Sequence, residues 1–293
     1  MMNAFPPTNP FSPAGRPAGK DDRAPGEPVP IDVTKPSIAR MYDHLLGGQG
    51  GYASDRRVCA QLLSLAPGLR ELAAVNRAFL GRAVRYLTAQ HEVRRYLDLG
   101  SGIPRPPHVH EIARDARPDT HVIYVDTDPV ALGQSRLLLA EDAAAATVLA
   151  ADIRDTAGIL RHPRVAGMLA AGLPVAVLFG CVLECIPDEE DPWALVRGLT
   201  ARLPSGSYLV VSHLTHEDSG VRAEVSTFLR QALGRHWGNV RARGDVARFF
   251  TGLGMVGQDS AGDVARWNPG HPLQPASAGR GGWVQYGGVA RVP

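Results

Sequence analysis

The chain is short of the residues that staple small folds or anchor a protein to charged polymers. Its three cysteines, Cys59, Cys181 and Cys185, are too few and too scattered for a disulfide framework. No zinc-type quartet of Cys and His forms at the usual spacings, so no metal is expected and a reducing, cytoplasmic setting fits. Lysine is almost missing, with only Lys20 and Lys35, and Lys+Arg 31 against Asp+Glu 29 leaves a formal net charge of +2. So small a sum supplies no broad field for a polyphosphate backbone, which removes nucleic acid as the default partner. Long hydrophobic runs are also lacking: Leu173–Leu183 is short and interrupted, and the first residues hold no apolar core of signal-peptide length. Neither a membrane partner nor secretion by that route is expected.

What is present suits a globular protein. The 293 residues are 44% hydrophobic and 20% charged, enough to bury a core without disulfide or metal. Residues 1–30 hold eight of the 24 prolines and little apolar content, which predicts a disordered tail. Ile38–Leu46 predicts a short helix ended by Gly47-Gly48. The stripe Leu69, Leu72, Ala73, Asn76, Phe79, Leu80, Ala83, Val84 and Leu87 predicts a long amphipathic helix with one polar intruder, Asn76. An unsatisfied buried amide costs about 1–3 kcal/mol, so Asn76 either bonds a backbone group or faces a ligand.

From Arg94 the pattern changes. Apolar runs at Tyr96–Leu99, Val122–Val125, Val148–Ala150, Val175–Leu183 and Tyr208–Ser212 alternate with helical segments, which predicts a mostly parallel sheet with helices on both faces. Asp128-Pro129 and Asp191-Pro192 each place an acidic N-cap before a proline at the first helical position. Helical segments at Val221–Leu233 and Val246–Phe250 and strands near Met255–Gln258 and Trp283–Val289 complete a Rossmann-like α/β core over residues 94–293. Residues 31–93 then form a helical lid.

The strongest chemical signal is Tyr96-Leu97-Asp98-Leu99-Gly100-Ser101-Gly102, a strand running into a glycine turn with a carboxylate at its end. Glycines at 100 and 102 let the backbone approach a ligand closely. The second strand ends at Asp126, about 24 residues on, where a carboxylate can accept both hydroxyls of a ribose. The third ends at Asp152. Three carboxylates at the ends of consecutive strands favour one ligand site over three separate caps. A dinucleotide fingerprint wants a small residue where Arg105 stands. S-adenosylmethionine (SAM) has no phosphate to cradle, and suits the turn with Asp98 near its ammonium, Asp126 on the ribose and Asp152 at the adenine amino group.

The segments Ala39-Arg40-Met41-Tyr42-Asp43-His44-Leu45-Leu46-Gly47-Gly48, Asn76-Arg77-Ala78-Phe79-Leu80, Leu97-Asp98-Leu99-Gly100-Ser101-Gly102-Ile103-Pro104, Tyr124-Val125-Asp126-Thr127-Asp128-Pro129 and Tyr286-Gly287-Gly288-Val289 resemble the SAM-dependent methyltransferase family of GC-rich bacteria formerly catalogued as a domain of unknown function. The resemblance implies a class I fold: a seven-stranded, mostly parallel sheet with an antiparallel last strand and SAM at the carboxyl ends. The cofactor-binding set is then Tyr42, Asn76, Asp98, Gly100, Ser101, Gly102, Asp126, Thr127, Asp152, Ile153 and Cys181. The expected partner is a small-molecule acceptor, with a homodimer as a candidate assembly. Two positions depart from the family: Gln49-Gly50-Gly51-Tyr52 replaces a loop that tends to read Lys-Asp-Asn-Phe, and Glu184 stands where relatives often carry histidine.

Glu184 reads either as a general base or sulfonium anchor facing the cleft, or as the first of a solvated acidic run with Asp188, Glu189, Glu190 and Asp191. His213 and His216 are alternative bases. Cys181 and Cys185, in an extended segment, are too far apart to bridge. His108 and His110 are expected on different faces of a helix start, against a shared metal. The four tryptophans read as packing, with Trp267 alone kept as a substrate contact. Methyl transfer to a small molecule is the leading expectation. A SAM sensor without turnover, a SAM enzyme of other chemistry, and an NAD oxidoreductase, which Arg105 and Asp152 disfavour, are the alternatives.

Overall fold

Five apolar runs pair side by side and in parallel: β1 (Arg95–Leu99), β2 (His121–Asp126), β3 (Ala146–Ala150), β4 (Ala176–Gly180) and β5 (Tyr208–His216). Three later strands, β6 (Gly254–Val256), β7 (Gly262–Asp263) and β8 (Trp283–Arg291), join them, with β8 antiparallel to β5, β6 and β7. The order is β3-β2-β1-β4-β5-β8-β6, with β7 paired to β8, so the expected seven strands and antiparallel last strand are present and the two-residue β7 is an addition. The computed structural model describes residues 31–140, 145–270 and 280–293; the tail expected over residues 1–30 lies outside them.

The ten α-helices among the described residues divide by the face they cover. They are α1 (Ile38–Leu45), α2 (Ala53–Leu65), α3 (Leu69–His91), α4 (Val109–Ala116), α5 (Pro129–Leu138), α6 (Thr156–Arg161), α7 (Pro163–Ala170), α8 (Pro192–Thr200), α9 (Ser219–Leu233) and α10 (Arg243–Ala247). Phe79, Ala83, Val84 and Leu87 of α3 and Ile112 of α4 pack against Tyr96, Val122, Leu178 and Val210 on one face of the sheet. On the other, α6, α7, α8 and α10 cover Leu97, Leu99, Ile123, Val177, Phe179 and Val211. Burial on both faces is what makes parallel strands read as near-continuous apolar runs. A third cluster joins Met41 of α1, Val58 and Leu62 of α2 and Leu69 of α3 to Leu229 of α9, Leu214 and Trp283.

Local chemistry explains the helix starts. Asp128 accepts from the backbone N–H of Val130 and Ala131, and Asp191 accepts from Ala194, each with proline in the first turn. Two expectations need correction. The fourth strand stops at Gly180, not Leu183, because Cys181 adopts a left-handed φ of 56° and Leu183–Cys185 turns into a 3-10 helix. Residues 31–293 form one unit, in which α3 packs directly on the sheet. Trp267 is 1% exposed and meets Phe79 and Tyr86 edge to face at centroid distances of 5.5 and 5.7 Å, which makes it core. No single helix among the described residues is long and apolar enough to cross a membrane.

Candidate functional site

The strand order reverses between β1 and β4, and ligands of open α/β sheets lie beyond the carboxyl ends at such a point. Here the glycine turn leaves β1. Gly100 and Ser101 donate their N–H to the Val125 carbonyl at 2.8 and 3.1 Å, which pins the turn to β2. Gly100 and Gly102 have φ of 72° and 67°, a region that suits glycine, and no atom lies within 4 Å of where a Gly102 Cβ would stand, so that position is open to a ligand. Asp126 accepts from Gly102 at 2.7 Å through Oδ2 and from Thr127 and Asp128 at 2.7 and 2.8 Å through Oδ1. A carboxylate offers about four acceptor positions, so it keeps capacity for a ligand hydroxyl.

Beside the turn lies a pocket lined by Arg77, Asp98, Ser101, Gly102, Arg105 and Tyr124 among others. Burial pushes the Asp98 carboxyl up to about 7, against the pull of Arg77, and the Asp126 charge adds to the rise. Arg105, whose size argued against a dinucleotide, holds α1 in place: it pairs with Asp43 at 2.8 Å and donates to the Leu46 carbonyl at 3.0 Å. Asp43 in turn accepts from Gly50 N–H at 2.9 Å, which wraps residues 47–51 around a buried carboxylate. Arg40 fastens the other end of α1, pairing with Asp55 at 2.9 Å and lying 3.6 Å from Asp128.

At the ends of β4 and β5 a chain of polar side chains runs inward from α1. Asn76 donates to the Tyr42 hydroxyl at 2.6 Å and accepts from the Ser212 hydroxyl, while Cys181 Sγ lies 3.2 Å from Gln285 Oε1. Asn76 is thus hydrogen-bonded to two side chains, where its sequence reading offered a backbone group or a ligand. Burial raises the Tyr42 phenol and the Cys181 thiol above their ordinary values, with the nearby Glu184 charge pushing the same way. Asp152 is bound up with Arg154, accepting from its N–H at 2.9 Å, and Ile153 is buried in the core. Thr127 is exposed and contributes its backbone N–H to Asp126.

Glu184 does not belong to a solvated acidic run. It is 2% exposed, with Oε1 accepting from Leu214 N–H at 2.7 Å and Oε2 buried without a partner among the described residues. Burial raises its carboxyl to about 7 despite that hydrogen bond and Arg241. His213 does not fit the role of base. Its side chain is fully buried, its Nδ1 lies 2.8 Å from the Leu214 carbonyl oxygen and its Nε2 3.2 Å from Arg241, and burial lowers its pKa to about 3. His216 sits with Nε2 2.7 Å from the Gly281 carbonyl oxygen and its ring against Trp283.

The histidine pair also departs from expectation. His108 is the extended N-cap residue of α4, outside its helical turn, and its ring stacks on His110 at 5.4 Å and 7°. With Glu111 the two bring metal-ligating atoms within 4.8 Å. Stacked parallel rings direct their in-plane lone pairs along separate lines, so this arrangement does not converge on one ion. Sequence reasoning missed Asp43, Arg105, Ser212 and Gln285 as site supports. The first lay inside the quoted motif beside Tyr42, whereas Gln285 carried no signal.

A family model described as S-adenosyl methyltransferase matches residues 25–293. Among solved structures, a candidate methyltransferase from Thermobifida fusca YX is 33% identical, with a TM-score of 0.80 over 89% of this chain and 96% of its own. A DUF574 family protein from Streptomyces avermitilis MA-4680 is 32% identical, with a TM-score of 0.79 over 89% and 99%. A search of the curated proteins finds no match. The glycine turn, the Asp126 carboxylate beside it and the match over the whole described fold agree, and the chain belongs to the S-adenosyl methyltransferase family formerly known as DUF574.

Proposed function

We propose that this protein transfers a methyl group from SAM to a small-molecule acceptor held beneath α1, with Glu184 as the proton acceptor. When bound, the cofactor supplies an electrophilic methyl group on sulfur. Asp98, Gly100, Ser101, Gly102 and Asp126 are the residues that would hold it, and the open position at Gly102 between the Asp98 and Asp126 carboxylates fits a ligand of that class. The protein's main contribution is alignment in a dry site, since a displacement of this kind needs orientation more than covalent help.

The observation that carries this reading is the orphan Oε2 of Glu184. A buried carboxylate oxygen without a partner is expensive unless a ligand or proton completes it. Its neighbours Tyr42, Cys181 and Cys185 have thiol and phenol groups that burial holds protonated, which leaves Glu184 as the basic group of that cluster. A carboxyl raised to about 7 is matched to accepting a proton near neutral pH.

Purified protein incubated with SAM and a low-molecular-weight metabolite extract is expected to release S-adenosylhomocysteine. Glu184→Gln keeps an oxygen for Leu214 N–H, so turnover should fall by about 10²–10⁴-fold, the usual worth of general base catalysis, with cofactor affinity unchanged. Loss of affinity together with turnover would make Glu184 an electrostatic anchor instead. Release of no product from any extract would leave a cofactor-binding module.

A further inference from the structure

From Leu183 to Ile186, every carbonyl of the turn that carries Glu184 accepts from a donor outside the turn. Leu183 and Ile186 accept from Nη1 and Nη2 of Arg241 at 2.7 and 2.5 Å, Glu184 from the Gly238 N–H at 2.8 Å, and Cys185 from Nη2 of Arg154 at 2.8 Å. Arg241, in the segment joining α9 to α10, is 3% exposed, and each of its nitrogens has a partner. Nε donates to Asp188 Oδ1 at 2.9 Å, Nη2 lies 2.7 Å from the same oxygen, and Nη1 also meets His213 Nε2 at 3.2 Å. The guanidinium lies over the rings of Trp193 and Phe249, at 5.2 and 5.9 Å from their centroids. Gly238 belongs to the same grip, because a Cβ there would stand 2.3 Å from the Ile186 carbonyl oxygen.

A buried guanidinium is costly unless its donors are met and its charge is answered. Asp188 answers it on the side where that carboxylate is half-exposed. On the inner side stands Glu184. Arg241 donates to His213 Nε2, so the imidazole proton sits on Nδ1, 2.8 Å from the Leu214 carbonyl oxygen and 3.6 Å from Glu184 Oε1. A neutral ring thus separates guanidinium from carboxylate. Of the other groups around Glu184, Tyr42, Cys181 and Cys185 are kept protonated by burial. Arg154 is paired with Asp152 and Glu190, and Asp126 is taken up by three backbone N–H groups. We propose that Arg241 is the positioning residue for Glu184: its fork fixes the turn that aims the carboxyl, and its charge, acting across neutral His213, favours the ionised form. The consequence for turnover rests on Glu184 as proton acceptor, whereas the clamp itself does not.

NMR of the full chain reads both parts without cofactor or acceptor. The Leu214 N–H donates to Glu184 Oε1, so its shift should titrate with that carboxyl, with a midpoint of about 7 in wild type and no step in Glu184→Gln. His213, titrating at about 3, does not interfere. Arg241→Gln should move the midpoint up by about one unit or more, the usual reach of a nearby opposite charge. Arg241→Lys keeps the charge and loses the fork, so the midpoint should stay within about half a unit while exchange of the Gly238 N–H with solvent speeds up at least about tenfold. Should Arg241→Gln not fold, Arg241→Lys decides alone. A Leu214 midpoint unmoved by Arg241→Gln, or Gly238 exchange unmoved by Arg241→Lys, would overturn the proposal. If both respond as stated while Glu184→Gln leaves turnover intact, the proposed proton acceptor fails and the clamp stands. If Glu184→Gln abolishes turnover and neither probe responds, the clamp alone fails.

Discussion

Asp98 sits where its charge is unwelcome until a ligand arrives, and that makes its effect on stability readable. Its carboxyl ionises near 3.8 in an unfolded chain and near 7 in the fold, because burial outweighs Arg77 and Asp126 opposes ionisation. Between those values the folded state holds the extra proton, so stability falls as pH rises from about 4 to 7 and the penalty is constant above that. Asp98→Asn removes this group. Its melting temperature relative to wild type should rise across pH 4–7 and level off above 7, in the absence of ligand; a difference independent of pH would show that Asp98 is not desolvated as described. Asp98 and Asp126 were legible because each ends an apolar run and their spacing fits a βαβ unit. Arg105 was not legible as a support of α1, because its hold on Asp43 and the Leu46 carbonyl joins segments some 60 residues apart that only the folded chain brings near. His213 was misread for a simpler reason. In a strand buried on both faces, neighbours Ser212 and His213 point to opposite sides, and the apolar run Tyr208–Val211 ahead of them gives no alternation from which to tell them apart.

Elements follow the same division between what hydrophobicity reports and what dihedrals decide. The strands β1 to β5 were visible as apolar runs, and α3 as a stripe at helical spacing. The end of β4 was placed three residues late because Val182 and Leu183 stay apolar through the turn that Cys181 begins. The short β7 has no apolar residue at all and exists only as pairing with β8. The Gly287-Gly288 pair of β8 was part of the quoted motif, and the structure supplies its reason: a Cβ at Gly287 would overlap the Val211 carbonyl of β5. Gly287→Ala must push two central strands apart. Overpacking of about 1–3 kcal/mol at about 2–4 °C per kcal/mol should lower the melting temperature by roughly 2–12 °C. Gly133, mid-way through α5 with no atom within 4 Å of an added Cβ, should do the opposite. Gly133→Ala is expected to gain about 0.5–1 kcal/mol, since glycine inside a helix is less favourable than alanine by that amount. Thermal melts of the two variants should therefore move in opposite directions.

At the scale of the whole molecule, one insertion in the strand order governs how the chain can be assembled. The last strand in sequence, β8, lies between β5 and β6, and β6 has no other partner. Nine register pairs join β5 to a strand some 70 residues later, so their formation carries a large loop-closure penalty and falls late in folding. Until then β5, buried at eight of its nine positions in the native state, is an open apolar edge. Such edges pair with other chains. Refolding from denaturant should accordingly lose yield as protein concentration rises, with Gly287→Ala losing more than wild type at every concentration. A yield independent of concentration would mean that β8 docks early, ahead of the local contacts. The kinetic hazard comes from placing the closing strand in the interior of the sheet, and a cell making this protein must shield β5 for as long as that closure takes.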